Sequence, residues 1–135
     1  MKFLNNNRDI LFGSNKGEFF LWENWQQYIP QAQQRKNLDL KDHALQVLPI
    51  KIDDPVKTIS FQKETNTYWI ITTNARIYAC HYEKSVTEPK PIELFPQYEK
   101  IGVGISPDFR RIAFIQKDFT VFVFELDNQK EQRSN

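Results

Sequence analysis

The chain of 135 residues has a single cysteine, Cys80. That excludes an internal disulfide and any metal centre built from several thiolates. Glycine is equally scarce: Gly13, Gly17, Gly102 and Gly104 are the whole complement. Their spacing forms neither a phosphate-cradling P-loop nor a dinucleotide-binding fingerprint. No run approaches the roughly 18 apolar residues that span a bilayer, so no membrane partner is expected. No Asn has Ser or Thr two places on, which leaves no N-glycosylation acceptor. Residues 1–8 lack the apolar stretch of about 7–15 residues that marks a secretory signal, and a reducing, cytoplasmic setting is expected. Charge of one sign is also missing, since 18 Lys+Arg against 17 Asp+Glu leave a formal net charge of +1. A strongly basic nucleic-acid binder is therefore not expected.

What the chain does have is apolar and aromatic material. Apolar residues make up 40% of it, with three Trp, five Tyr and eleven Phe, which is enough for a core. This material is organised as an internal repeat. Residues 3–23, 61–81 and 105–125 align without gaps at offsets of 58 and then 44. They read FLNNNRDILFGSNKGEFFLWE, FQKETNTYWIITTNARIYACH and ISPDFRRIAFIQKDFTVFVFE.

Each copy opens on one apolar residue (Phe3, Phe61, Ile105) followed by polar turn formers, of which Ser106-Pro107-Asp108 is the strongest. Proline presets φ there and Asp can bond its own backbone. A short apolar run follows: Ile10-Leu11-Phe12, Tyr68-Trp69-Ile70-Ile71 or Ile112-Ala113-Phe114-Ile115. A second turn, Asn15-Lys16-Gly17, Asn74-Ala75 or Lys117-Asp118, leads into another. Those last runs are Phe19-Phe20-Leu21-Trp22, Ile77-Tyr78-Ala79-Cys80 and Val121-Phe122-Val123-Phe124. Runs this short, rich in β-branched and aromatic residues and bounded by turns, predict strands. They are apolar at consecutive positions, which predicts sheets buried on both faces. Such sheets must be sandwiched between neighbours, which is how propeller blades pack. Leu45–Ile52 and Pro91–Phe95 are the predicted outer strands, where Pro49, Pro91 and Pro96 are tolerated at an edge. Val56–Phe61 and Ile101–Ile105 are the predicted innermost strands, with Gly102 and Gly104 suited to close backbone approach near a crowded axis.

These columns resemble the WD40 family of propeller repeats. Ile105-Ser106-Pro107-Asp108, Arg111-Ile112-Ala113, Lys117-Asp118 and residues 121–126 look like the family's stretch of turn, strand, turn and strand. The first copy matches through Asn15-Lys16-Gly17 and Leu21-Trp22-Glu23-Asn24. The copies depart from it in lacking both the Trp-Asp and the Gly-His pair; Trp22-Glu23, Cys80-His81 and Phe124-Glu125 stand in the first of those slots. The resemblance implies an all-β partial β-propeller: three blades of antiparallel four-stranded sheets, the terminal ones incomplete, within one domain. The blades cover about 1–53, 54–97 and 98–135, with an inserted loop over 24–44. With those departures, apolar packing is left to hold the blades together. A closed propeller needs about four blades or more of about 40 residues each. Completion in trans is therefore expected, either by a second copy, three blades plus three, or by another protein supplying the missing blades.

Few residues suggest chemistry. The insertion carries Trp25, Tyr28 and Ile29, a candidate anchor for a protein partner because aromatics dominate interfaces. The alternative is that the three pack on the first blade; part of 30–45 could also form a short polar helix. Cys80-His81 are consecutive on a predicted strand, so their side chains diverge and cannot act as nucleophile and base. Asp39, Asp42, His43, Asp53 and Asp54 match no closed metal-ligand set. No catalytic residue, metal or cofactor is assigned. The function expected is a non-catalytic protein–protein interaction scaffold. The alternative is a small-molecule, glycan-binding (lectin-like) or enzymatic site at the centre of an oligomeric propeller.

Overall fold

A computed structural model describes residues 1–5, 8–24, 45–83, 85 and 88–126. They form an all-β chain of three antiparallel sheets. The first sheet contains β1 (Lys2–Leu4), β2 (Asp9–Gly13), β3 (Glu18–Trp22) and β4 (Leu45–Lys51), side by side in chain order. The second repeats that meander with β5 (Val56–Gln62), β6 (Thr67–Thr72), β7 (Ile77–His81) and β8 (Ile92–Leu94). The third has three strands, β9 (Lys100–Ile105), β10 (Arg111–Gln116) and β11 (Val121–Glu125). Among the described residues no helix is long and apolar enough to cross a membrane.

The repeat offsets are visible in the turns. Gly17, Ala75 and Phe119 share one column, and all three adopt positive φ, at 77°, 59° and 68°. Their amides donate to Ser14, Thr72 and Gln116 at 3.2, 3.1 and 2.9 Å, three equivalent hairpin bends. Gly17 alone has no room for a side chain, because an added Cβ would stand 1.9 Å from the Ile52 carbonyl oxygen. The first turn of the third copy closes as its residues predict: Ser106 Oγ donates to Asp108 Oδ1 at 2.6 Å, and the Arg110 amide donates to the same oxygen at 3.1 Å. Pro49 lies in β4, an edge strand, where the pairing with β3 shifts register, as a residue without an N–H requires.

Alternation along the strands sends side chains to two faces, and two separate cores result. One joins the first two sheets: Leu4, Leu11, Phe19, Leu48 and Ile50 meet Ile59, Tyr68, Ile70, Tyr78 and Cys80. The other joins the last two: Ile71 and Ile77, with Trp69, meet Ile112, Phe114, Val103, Ile105, Phe122 and Phe124. The middle sheet is thus buried on both faces, with Ile70 and Ile77 both at 0% exposure on opposite sides. Burying a side chain of that size stabilises by about 1.5–3 kcal/mol, so these two faces are where cohesion resides.

Burial of both faces does not extend to the third sheet. Val121 and Val123 are 61% and 62% exposed while their neighbours Phe122 and Phe124 face the core. The physical reason is the lack of any described element beyond that face. The alternating glycines differ: a Cβ at Gly102 would lie 3.3 Å from Ile115 Cγ2, a tight contact, whereas one at Gly104 would meet nothing within 4 Å.

Candidate interaction surface

The two internal junctions obey one rule. Leu11, Gly13, Phe19 and Leu21 in the first sheet correspond by column to Trp69, Ile71, Ile77 and Ala79 in the second. This leading face packs against the next sheet, Gly13 closely enough that an added Cβ would lie 2.6 Å from Val56 Cγ1. The trailing face of the second sheet, Phe61, Tyr68, Ile70, Tyr78 and Cys80, corresponds to Ile105, Ile112, Phe114, Phe122 and Phe124 in the third. Each trailing face packs against the sheet before it.

By the same columns the leading face of the third sheet is Ala113, Ile115, Val121 and Val123. Ala113, Val121 and Val123 are exposed and Ile115 is half-buried. Phe119, 75% exposed on the β10–β11 turn, adds apolar surface at the end of these strands. The rim of this patch is ionic, with Arg111 Nε donating to Glu125 Oε1 at 2.7 Å and Lys117 Nζ 3.5 Å from Glu99. An apolar centre with a polar rim is the usual anatomy of a contact surface.

The support beneath this patch is aromatic. Phe95 stacks on Phe124 with centroids 4.4 Å apart, and Tyr98 lies 5.1 Å from Phe114 and 5.2 Å from Phe122. Lys100 Nζ donates to the Phe95 and Tyr98 carbonyls at 2.6 and 3.3 Å, tying the loop before β9. Burial holds that ammonium below the usual lysine range. β11 is an edge strand, its outer N–H and C=O groups facing away from β10.

Trp25, Tyr28 and Ile29 lie outside the described residues, as do Asp39, Asp42, His43, nearly all of the 24–44 insertion and all but the last residue of the 30–45 segment. Cys80 and His81 are described, and they diverge. The Cys80 thiol faces the first core, where burial pushes it up to about 11. His81 is exposed, its Nδ1 at 2.8 Å from the Thr65 carbonyl and its Nε2 at 3.4 Å from Glu83. Asp53 is exposed, whereas Asp54 is buried, accepting from Asn74 Nδ2 with Arg76 Nη1 at 3.9 Å. Among the described residues no group of three or more His, Cys, Asp and Glu is placed to hold a metal. A cleft of about 560 Å³ opens beside β5 and β9, lined by Lys2, Lys57, Thr58, Ser60 and Gly104.

The exposed patch is not evident from sequence, because columns 113, 115, 121 and 123 look like core. The usable signal is size: Phe19 and Ile77 give way to Val121, and Leu11 and Trp69 to Ala113. No family model matches this chain, and no curated protein matches its sequence.

Proposed function

We propose that the chain is a non-catalytic protein–protein interaction scaffold whose three sheets are blades of a divergent, WD40-like partial propeller. Contact is made by the leading face of the third sheet and the β11 edge. One observation carries this reading: the column that buries Phe19 and Ile77 leaves Val121 61% exposed. A face built for packing but left open is an interaction site in waiting, since contiguous apolar patches on proteins mark contacts with other molecules. The first two sheets each carry a fourth strand, β4 and β8, where the third ends at β11 among the described residues. Strand addition at that edge would complete it with main-chain hydrogen bonds.

The test is a photoactivatable cross-linker at position 123, with position 63 on the exposed Lys63 turn as control. Both are examined in purified protein and in the cells that make it. A protein adduct at 123 that Val121→Lys abolishes, with none at 63, is the expected result. Equal adducts at both positions, or none at 123, would overturn the proposal.

A further inference from the structure

The first strands of the three sheets converge on a cleft that a scaffold role leaves unused. β1, β5 and β9 are each the terminal strand of their sheet, and residues of all three line this cleft of about 560 Å³. That volume falls within the range of about 300–1,000 Å³ typical of small-molecule sites. One repeat column runs along it: Lys2, Ser60 and Gly104, each one place before Phe3, Phe61 and Ile105. Other columns of the repeat bury Leu11, Phe19 and Ile77 in the two cores; this one carries polar side chains or none. Lys57 joins the cleft through an irregularity in pairing. The register of β5 against β6 passes from Val56 to Thr58 and skips Lys57. An extra residue of this kind re-aims its side chain out of the regular ladder, and Lys57 lines the cleft.

The lining is cationic without a counter-charge: Lys2 and Lys57 are part of it, and no Asp or Glu is. Among the described residues neither ammonium has an ion-pair partner, and neither the Thr58 nor the Ser60 hydroxyl makes a hydrogen bond. Two further clefts are balanced instead. One sets Arg76 against Glu93 at 3.0 Å and Lys117 against Glu99 at 3.5 Å, and the other sets Arg8 against Asp9 at 3.3 Å. With 18 Lys+Arg against 17 Asp+Glu in the whole chain, two unpaired ammonium groups on one cleft reflect placement and not composition. We infer that this cleft binds a small organic phosphate. Two ammonium groups match the charge of a phosphate monoester, about −1.5 to −2 at pH 7. The free hydroxyls, and the outward N–H groups that an edge strand presents, are donors for its oxygens. Ile59 and Ile71 line the same cleft and offer apolar contact to the organic part, the usual composition of a small-molecule site.

Titration of the isotopically labelled full chain with phenyl phosphate at fixed ionic strength, followed by amide chemical shifts, tests this. Saturable shifts gathered on residues 57–60 and 103–105 are expected. Lys2→Met and Lys57→Met should each weaken binding at least about fivefold, because a charge-assisted contact is lost. Thr58→Val/Ser60→Ala should weaken it at least about twofold through the loss of neutral donors. Lys16→Met, at an exposed turn outside the cleft, should change nothing. Lys2, Lys57 and Thr58 are exposed, so these variants are expected to keep the wild-type spectrum away from the cleft. Benzenesulfonate, of similar shape but singly charged, should bind at least about fivefold more weakly, and phenyl phosphate should itself weaken as pH falls through its second ionisation at about pH 6. Shifts that do not saturate at millimolar phenyl phosphate, or an equal loss from Lys16→Met, would reduce the cleft to general surface charge and overturn the proposal. Equal affinity for benzenesulfonate would overturn phosphate as the group recognised. Inorganic phosphate binding as tightly as phenyl phosphate would overturn the role given to the apolar lining.

Discussion

Truncating one column in two sheets separates packing from mere hydrophobicity. Ile77 and Val121 are the same position in the repeat, and each pairs with an isoleucine across its hairpin, Ile71 and Ile115. Ile77 is at 0% exposure and Val121 at 61%. Ile77→Ala removes three carbons at about 0.8 kcal/mol each and leaves a cavity besides, so a loss of about 3–4 kcal/mol is expected. Val121→Ala removes two carbons that are about two-fifths buried, which is about 0.6 kcal/mol by the same coefficient. Urea unfolding followed by tryptophan fluorescence, at a concentration where the chain is monomeric, gives both values. The slope with denaturant must stay constant, so that a midpoint shift reports stability alone. The reasoning fails if Val121→Ala costs about 2 kcal/mol or more, because the leading face of the third sheet would then be packed within the chain. It fails equally if Ile77→Ala costs under about 1 kcal/mol, since the second core would not be holding the sheets together.

Other outcomes attach to single sites. Gly17→Ala should lower stability by about 2–4 kcal/mol, from a left-handed backbone costing about 1–2 kcal/mol plus an added Cβ 1.9 Å from the Ile52 oxygen. In the same column Phe119→Gly, at φ 68° and exposed, should be neutral or stabilise by about 0.5–1 kcal/mol; thermal unfolding distinguishes the two. Burial opposes the Asp9 carboxylate, but hydrogen bonds from the Asn24 amide, Asn5 and Arg8 outweigh it and hold its carboxyl below the usual range. Its contribution is therefore present above about pH 4, where the unfolded chain ionises, and is lost as pH falls through the folded value. Urea midpoints from pH 7 to 3 should fall more steeply for wild type than for Asp9→Asn. Cys80, with its thiol raised to about 11, should resist a thiol-reactive disulfide reagent at pH 8 until urea unfolds the chain; rapid native labelling would contradict its burial.

Strands and turns are legible in the sequence because they are local. Short consecutive apolar runs between turn formers specify hairpins whatever surrounds them, and all three bends form as aligned, even where Ala75 and Phe119 replace glycine. The outer strands fall within a few residues of expectation: Leu45–Ile52 is expected and Leu45–Lys51 forms, Pro91–Phe95 is expected and Ile92–Leu94 forms. Burial is less legible because it is not a property of the strand. Val121-Phe122-Val123-Phe124 reads as a ribbon apolar on both faces, which is correct; whether each face is covered depends on a neighbour that the run does not encode. Gly104 misleads for the same reason, since open space and crowding both accept glycine: it stands in open space, while Gly102 two residues before it is crowded by Ile115.

The edges show how differently the three sheets treat a potential partner. Natural sheets protect exposed edges with proline, charge and irregular pairing. β4 has all three devices: Pro49, Lys51 and a register shift against β3. β8 is only three residues long, carries Glu93, and has Pro91 immediately before it. β11 is five residues of regular pairing to β10, with no proline, no lysine and no register shift, and its only charge is Glu125 at the end. Its outward side chains are two β-branched valines, the residues best suited to pack on another sheet. The outer edges of the two four-stranded sheets are thus defended, whereas β11, an edge of the sheet whose leading face is exposed, carries none of these devices. Those two omissions coincide on a single strand, which is what an interface requires and what an exposed surface strand would have been selected to avoid.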